Sequence, residues 1–526
     1  MKDMKKIFCL VFACLMTMGM SAGNEDKYGA LYEGLPFKMD KVTTPQFPAN
    51  EVNLKDFGAV GDGSSLCTEA FAKAFAALEK MGGGKLVVSQ GVWFTGPIQL
   101  KSNVNLHLEK GAIILFSPDP ALYTVTRTSF EGLETRRCQS PISGINLTNV
   151  AITGQGVIDG NGEYWRPLKR MKVTESQWKA ITSRGGAFKN PNYWFPDEES
   201  LKADNAANMN VPNVKSETDW GKIKRFIRPV MVSLVGCKNV WLQGVIFQNS
   251  PAWNLHPLMC QNVLVEGVQV RNPAYAQNGD GIDLESCKNA LIVNSTFDVG
   301  DDGICIKSGK DADGRKRGIP CENVIVNGCT VFKGHGGFVV GSEMSGGVKN
   351  IAVSDCQFLG TDVGLRFKST RGRGGVVENI YIKNTSMFDI QTDAITFDLY
   401  YGGKSAVEAL ADGDEAKNKN VVKYKVDETT PCFRNVFIDH VICRTARRAA
   451  YFNGLPEMPV SNVQIRDVEI NHAKEGIVMN YTDGVLLDNI KVLSEGHTFN
   501  AKNSTNIDVN GKKYKKVDGK GVQLDL

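Results

Sequence analysis

Apolar and polar residues alternate through four short, closely similar stretches of this chain: GIDLES from Gly281, GICIKS from Gly303, GFVVGS from Gly337 and GLRFKS from Gly364. When they are aligned, the second and fourth columns are apolar (Ile282/Leu284, Ile304/Ile306, Phe338/Val340, Leu365/Phe367). The third and fifth hold Asp283/Glu285, Cys305/Lys307, Val339/Gly341 and Arg366/Lys368. A period of two predicts strands with one face buried and the other offered to solvent. The stretches recur at unequal steps of 22, 34 and 27 residues, as expected of solenoid coils that carry insertions of different length. A second marker is Asn followed by a small or β-branched residue, at Asn239, Asn262, Asn289, Asn323, Asn350, Asn379, Asn435 and Asn462. Asparagine suits corners because it tolerates left-handed backbone angles and bonds locally. Together these patterns predict an all-β chain, a single-stranded right-handed parallel β-helix with one rung per repeat.

Elsewhere the period changes. TEAFAKAFAALEK from Thr68 places Phe71, Phe75 and Leu78 on one helical face, which predicts an N-terminal helix that plugs the open end of the solenoid. The first regular coil begins near Asn149. Residues 162–228 interrupt the repeat with a Lys-, Asn- and Trp-rich insertion, and residues 402–431 form a second, charged excursion. An insertion of that length marks a functional loop or lid. Its Trp165, Trp178, Trp194 and Trp220 have two readings, as platforms for sugar rings or as anchors of the insertion. The polar tail after Ser494 caps or trails the solenoid.

At 526 residues and 42% hydrophobic content the chain can bury a large core, and because solenoids grow along one axis, residues 23–526 are expected to form one domain. Lys2, Lys5 and Lys6 precede an apolar run from Ile7 to Met20 and then Ser21, Ala22 and Gly23, the pattern of a signal peptide over residues 1–22. Export to the periplasm or the medium is therefore expected, with no transmembrane segment, since no later apolar run approaches 18 residues. Eleven of the 13 cysteines follow the signal, an odd number, and most are expected to pack singly as small apolar residues. With no CxxC pair or metal-spaced cluster, neither metal nor cofactor is expected. A formal charge of +4 is too small to suggest nucleic acid as a partner.

The columns just before each repeat glycine carry the chemistry. They read Asn278/Gly279/Asp280, Gly300/Asp301/Asp302 and Gly334/His335/Gly336. Stacked rungs lie roughly 4.8 Å apart, so Asp280 falls beside Asp302 and Asp301 beside His335, with Arg366 and Lys368 a rung further on. Glycoside hydrolysis needs a protonated acid for the departing oxygen and a carboxylate for the incoming group. Clustered carboxylates cannot all ionise freely, so at least one retains a proton. Asp283 and Glu285 are outward neighbours of supporting or structural character, and His256 reads as structural. The charges from Lys310 to Arg317 are either solvated loop residues or part of the patch.

The strings NGDGID at Asn278, GDD at Gly300, GHG at Gly334 and RFK at Arg366 closely resemble the four signatures of the polygalacturonases, glycoside hydrolase family 28. The resemblance runs from FGAVGDG near Phe57 through NSPAWNLHP at Asn249 to Tyr401. It implies an inverting hydrolase of α-1,4-galacturonosyl linkages in pectin. Asp301 would be the general acid, Asp280 and Asp302 would hold the attacking water, and His335 would assist the acid. Asn278, Arg366, Lys368 and Tyr401 would bind the acidic polysaccharide or oligogalacturonide, although Tyr400 competes with Tyr401 for that place. Gly279 departs from the usual Thr or Ser, and Phe367 from an Ile. The insertion and the strings IKSGKDADG and GSEMSGG look like the exo-acting members. Other readings are hydrolysis of rhamnogalacturonan or decorated galacturonan, a pectate lyase, which would need Ca²⁺ and an Arg base, and a non-catalytic β-helix adhesin.

Overall fold

The computed structural model describes residues 27–206, 208–402 and 422–526, so the signal-peptide reading and most of the 402–431 excursion fall outside the described residues. By internal contacts the chain divides into residues 1–41 and 42–526. In the first unit a 3₁₀ turn spans Gly29–Tyr32.

The second unit is a parallel β-helix. Each coil contributes a strand to each of three parallel faces. One coil runs Ile282–Glu285, Lys288–Val293 and Thr296–Val299, and the next runs Asp302–Lys307, Cys321–Asn327 and Thr330–Lys333. Every strand pairs in parallel with its counterpart one coil on. The predicted register holds, with Ile282 opposite Ile304, Ile304 opposite Phe338 and Phe338 opposite Leu365. The inward column of these residues is fully buried in one continuous core.

The corner asparagines form a ladder. Side-chain amides link Asn103, Asn149, Asn239 and Asn262, then Asn289, Asn323, Asn350, Asn379, Asn435 and Asn462, each nitrogen donating to the preceding oxygen at 2.8–3.3 Å. Every one of these corner residues has a positive φ, between 47° and 60°. The stack thus satisfies polar side chains where the backbone turns left-handed.

The helix Thr68–Lys80 buries Phe71, Phe75 and Leu78 against the first coils, as predicted. At the other end the ladder closes with antiparallel pairs, Ser504–Val509 with Lys512–Val517 and Phe499–Lys502 with Val522–Leu524. Antiparallel additions leave no parallel edge for a further coil. All eleven cysteines of the described residues are free and buried, which settles them as single packing residues.

One expectation is corrected and one open reading is decided. The outward columns of the four repeat strands are not offered to solvent: Asp283, Glu285, Cys305, Lys307, Arg366 and Lys368 are all at most 5% exposed. They are buried because walls rise over this face. The hairpin of Val125–Phe130 and Leu133–Cys138, absent from the sequence reading, meets the helix Asp311–Arg317 through Arg317, whose guanidinium donates to Ser129 Oγ. The four tryptophans of the 162–228 insertion are buried, none more than 8% exposed. Trp165 and Trp220 pack with Tyr123 and Ile227, and Trp178 with Trp194, so they anchor the insertion and present no ring to a sugar.

Candidate active site

The face built from Ile282–Glu285, Asp302–Lys307, Gly336–Gly341 and Leu365–Lys368 floors a cleft. Asn278, Asp280, Asp301, Asp302, His335, Lys368 and Tyr401 line it, with Arg366 directly beneath, bonded to Asp302. All eight predicted residues therefore come together. Oxygens of Asp280, Asp301 and Asp302 lie within 4.8 Å of one another.

The three carboxylates have different surroundings. Asp302 accepts from Lys368 Nζ at 2.6 Å and from Arg366 Nη1 at 3.2 Å, one cation to each oxygen. Burial works to raise its pKa, and these two cations outweigh it and hold Asp302 below the usual carboxylate range. Asp301 accepts from His335 Nδ1 at 3.0 Å. Burial again pushes upward, and the His335 charge and hydrogen bond carry Asp301 well below the usual range. His335 is raised in return: its burial favours the neutral ring, and Asp301 overrides that. Asp280 has no cation in contact. Burial, with Asp301 and Asp283 nearby, pushes it well above the usual range, and its Oδ1 is buried without a hydrogen-bond partner. Burial thus favours the protonated form at Asp280 and at its neighbour Asp283, while Asp301 is bonded to His335.

Neighbouring residues fix these positions. Asn278 adopts φ 53° and accepts from Arg228 Nη2 at 3.0 Å. Arg228 is itself buried and donates to the Pro251 and Gln277 carbonyls. Gly279 is explained by space: a Cβ there would stand 2.7 Å from that of Ala276. Phe367 points inward and stacks on Phe397 with ring centres 4.5 Å apart. Tyr401 is the cleft tyrosine, its ring centre 4.8 Å from Lys368 Nζ and 5.4 Å from the Arg366 guanidinium, whereas Tyr400 faces Arg371. His256 is structural as read, its Nε2 2.8 Å from Glu285, which also binds Arg317 at 2.6 Å.

The sequence reading missed several lining residues. Trp253 lies beside the Lys307 ammonium at 4.8 Å, and Lys307 in turn binds Glu343 at 2.7 Å. Glu131 arrives on the hairpin turn, and Lys169 and Lys172 arrive from the insertion. The FEG string at the turn, with Glu131 and Gly132 both at positive φ, is a hairpin signal that could have placed Glu131. Nothing local to Lys169 or Lys172 marks them. The lining holds six lysine or arginine side chains against five carboxyl groups, of which burial pushes Asp280 toward its protonated form. A cleft with that balance suits an anionic ligand.

Comparison with known proteins agrees with this geometry. The family described as glycosyl hydrolases family 28 matches residues 215–439, the stretch holding all eight residues. A solved structure, a hyperthermoactive exopolygalacturonase from Thermotoga maritima, is 32% identical. That match covers 92% of this chain and 97% of the other, with a TM-score of 0.67. The chain belongs to glycosyl hydrolases family 28. It is therefore a glycosidase. A probable polygalacturonase from Vitis vinifera is 27% identical over 91% of this chain and 84% of its own length. The exo-poly-alpha-D-galacturonosidase of Dickeya chrysanthemi is 29% identical over 68% of this chain and 59% of its own. No helix among the described residues is long and apolar enough to cross a membrane.

Proposed function

We propose that this family 28 glycosidase hydrolyses α-1,4-galacturonosyl linkages of de-esterified pectin from chain ends, with inversion, after export through its signal peptide. The observation that carries the reading is the division of labour among three adjacent aspartates. Asp301 is bonded to His335, Asp302 is paired with Arg366 and Lys368, and Asp280 has no such cation and is pushed by burial toward its protonated form.

In this mechanism the proton of the His335–Asp301 pair passes from Asp301 to the glycosidic oxygen as the bond from that oxygen to the anomeric carbon breaks. A water held between Asp280 and Asp302 forms the new bond to that carbon, and its proton passes to Asp302. Solvent then takes the proton from Asp302 and returns one to the pair, which restores the starting state. Lys368, Tyr401 and Asn278 hold the uronate sugars from the lining, Arg366 adds its charge from beneath, and Lys169 and Lys172 extend the positive lining. Arginine suits such carboxylates because of its bidentate geometry. A Ca²⁺-dependent lyase is disfavoured because Arg366 and Lys368 already occupy Asp302 as its counter-ions.

End-on cleavage is supported by the hairpin tip. Gly132 packs against the backbone of Gly309 and Lys310, and Glu131 stands beside Asn278 and 3.7 Å from Lys310 Nζ, so the tip is read as a barrier across one end of the cleft. The names of the Thermotoga and Dickeya relatives point the same way.

The test is incubation with de-esterified polygalacturonate, with products separated by chromatography and Asp301→Asn run in parallel. Saturated monomer or dimer from the earliest time, with wild type alone, is the expected result. Oligomers of mixed length at early times overturn end-on cleavage, and ultraviolet-absorbing unsaturated products overturn hydrolysis. A folded protein that yields nothing overturns the substrate assignment and turns the search to rhamnogalacturonan and decorated fragments.

A further inference from the structure

His335 lies between two carboxylates, one at each ring nitrogen. Nδ1 meets Asp301 Oδ1 at 3.0 Å, and Nε2 faces Asp362 Oδ2 at 3.9 Å. The mechanism above uses only the first. Asp362 is next to the repeat strand Leu365–Lys368, and its main chain is fixed on both sides. Its N–H donates to the Gly334 carbonyl at 2.9 Å, and its own carbonyl accepts from the Thr392 N–H and hydroxyl at 2.8 and 2.7 Å. The carboxylate is therefore carried by backbone bonds that do not depend on it, and it is aimed at the one imidazole of the cleft.

We propose that Asp362 is a positioning residue for the reaction: its charge orients the His335 ring and keeps that ring protonated, so that the Asp301–His335 pair retains the proton needed by the departing oxygen. At 3.9 Å the contact is an ion pair rather than a hydrogen bond, so it acts through charge and orientation. The other charged groups near His335 are Asp301, Lys172 from the insertion, and Arg366, whose Nη1 donates to the His335 carbonyl at 3.2 Å. Lys172 opposes ring protonation, while Asp301 and Asp362 favour it. Burial holds the Asp362 carboxyl above its ordinary range, which Arg366 and Lys172 partly offset. With Asp362 neutralised, Asp301 alone must balance the ring against its burial and Lys172.

The proposal rests on the hydrolytic reading, so the test has one arm in activity and one in the ring itself. On an oligogalacturonide, Asp362→Asn is expected to lower kcat about tenfold at neutral pH, change KM less than twofold, and move the alkaline limb of kcat about one pH unit downward. Asp362→Glu is expected to restore most of both. An unmoved limb in Asp362→Asn, or an equal loss in both variants without a shift, would make Asp362 merely structural and overturn the proposal. Where wild type proves inactive on this substrate, proton NMR titration of His335 in wild type and Asp362→Asn decides: a lower ring pKa in the variant supports the proposal, and an unchanged one overturns it.

Discussion

Asp301 and His335 stand one coil apart and are joined twice, Oδ1 to Nδ1 at 3.0 Å and the His335 backbone N–H to the Asp301 carbonyl at 2.9 Å. Stacking of consecutive rungs makes this possible, because residues 34 positions apart in the chain become lateral neighbours. In the proposed mechanism the active form of the pair carries one proton. His335 holds it with a pKa raised above the ordinary value near 6.5, so the form is present below that raised value and lost as pH rises through it. The alkaline limb of kcat is therefore expected above pH 6.5, and His335→Gln is expected to remove that limb and cost about 10²–10⁴ in kcat. An alkaline limb unchanged in His335→Gln would assign it to another group.

Lys368 and Arg366 govern the opposite limb. In the proposed mechanism Asp302 must be ionised to accept the proton of water, and its pKa is depressed by both cations against burial. Lys368→Met leaves Arg366 as the remaining counter-ion, so the Asp302 pKa rises and the acid limb of kcat moves to higher pH. The variant is expected to lose most activity at acidic pH and least near neutrality. A uniform loss across the profile would mean that Lys368 acts on the substrate alone.

The stereochemical outcome is the sharpest test of the aspartate roles. Separations of about 5–5.5 Å are usual for the two carboxyls of retaining enzymes and 6.5–9.5 Å for inverting ones. Here oxygens of three aspartates lie within 4.8 Å, which on spacing alone points to retention. Asp302, however, has a cation on each oxygen and burial pushes Asp280 toward its protonated form, so neither is a good nucleophile toward carbon. Inversion of an α linkage releases a β anomer. Proton NMR of the first turnovers is expected to show it, and an initial α anomer would require a covalent intermediate.

The solenoid was legible from the chain because its signals repeat. Apolar columns such as Ile282, Ile304, Phe338 and Leu365 and the corner asparagines each mark a coil, and their unequal spacing still gave the right register. The aspartates, His335, Arg366 and Lys368 were legible for the same reason, since register alone converts columns into neighbours, whereas Tyr401 was reached only through the family resemblance. What lies over the columns was not. Burial of Asp283, Glu285 and Lys307 depends on a hairpin and an insertion whose docking is tertiary, and a period of two predicts only which way a side chain points. Glu131 and Lys172 reach the site from segments outside the aligned columns, whereas Asp362 stands two residues before Gly364, in the column of Asp301 and His335 but one rung beyond the columns that were read.

The asparagine ladder should be a source of stability independent of catalysis. Asn350 donates to Asn323 at 3.1 Å, accepts from Asn379 at 3.3 Å, and holds φ 59°. Asn350→Ala removes both bonds and leaves a non-glycine residue in a left-handed conformation, at a cost of about 1–3 kcal/mol. Asn350→Gly loses the bonds and relieves the backbone, so it should cost less. Denaturant midpoints are expected in the order wild type, Gly, Ala, with kcat little changed. A Gly variant no more stable than Ala would show that the left-handed corner conformation carries no strain at this position.

The end wall can be tested by displacing the hairpin tip and leaving the aspartates untouched. Gly132 has φ 73°, and a Cβ there would stand 2.5 Å from the Lys310 nitrogen and 2.7 Å from the Gly309 carbonyl carbon, both of them backbone atoms that cannot swing aside. Gly132→Val therefore forces the tip off the Gly309–Lys310 segment and carries Glu131 away from Asn278. The β-helix core contains no residue of this hairpin, so global stability should change little. If the tip is what restricts cleavage to chain ends, the variant should release longer oligomers from polygalacturonate at early times and lower the viscosity of the polymer faster per bond cut. Products unchanged in length, from a variant shown by protease sensitivity near residue 132 to have a displaced tip, would place the barrier elsewhere along the cleft.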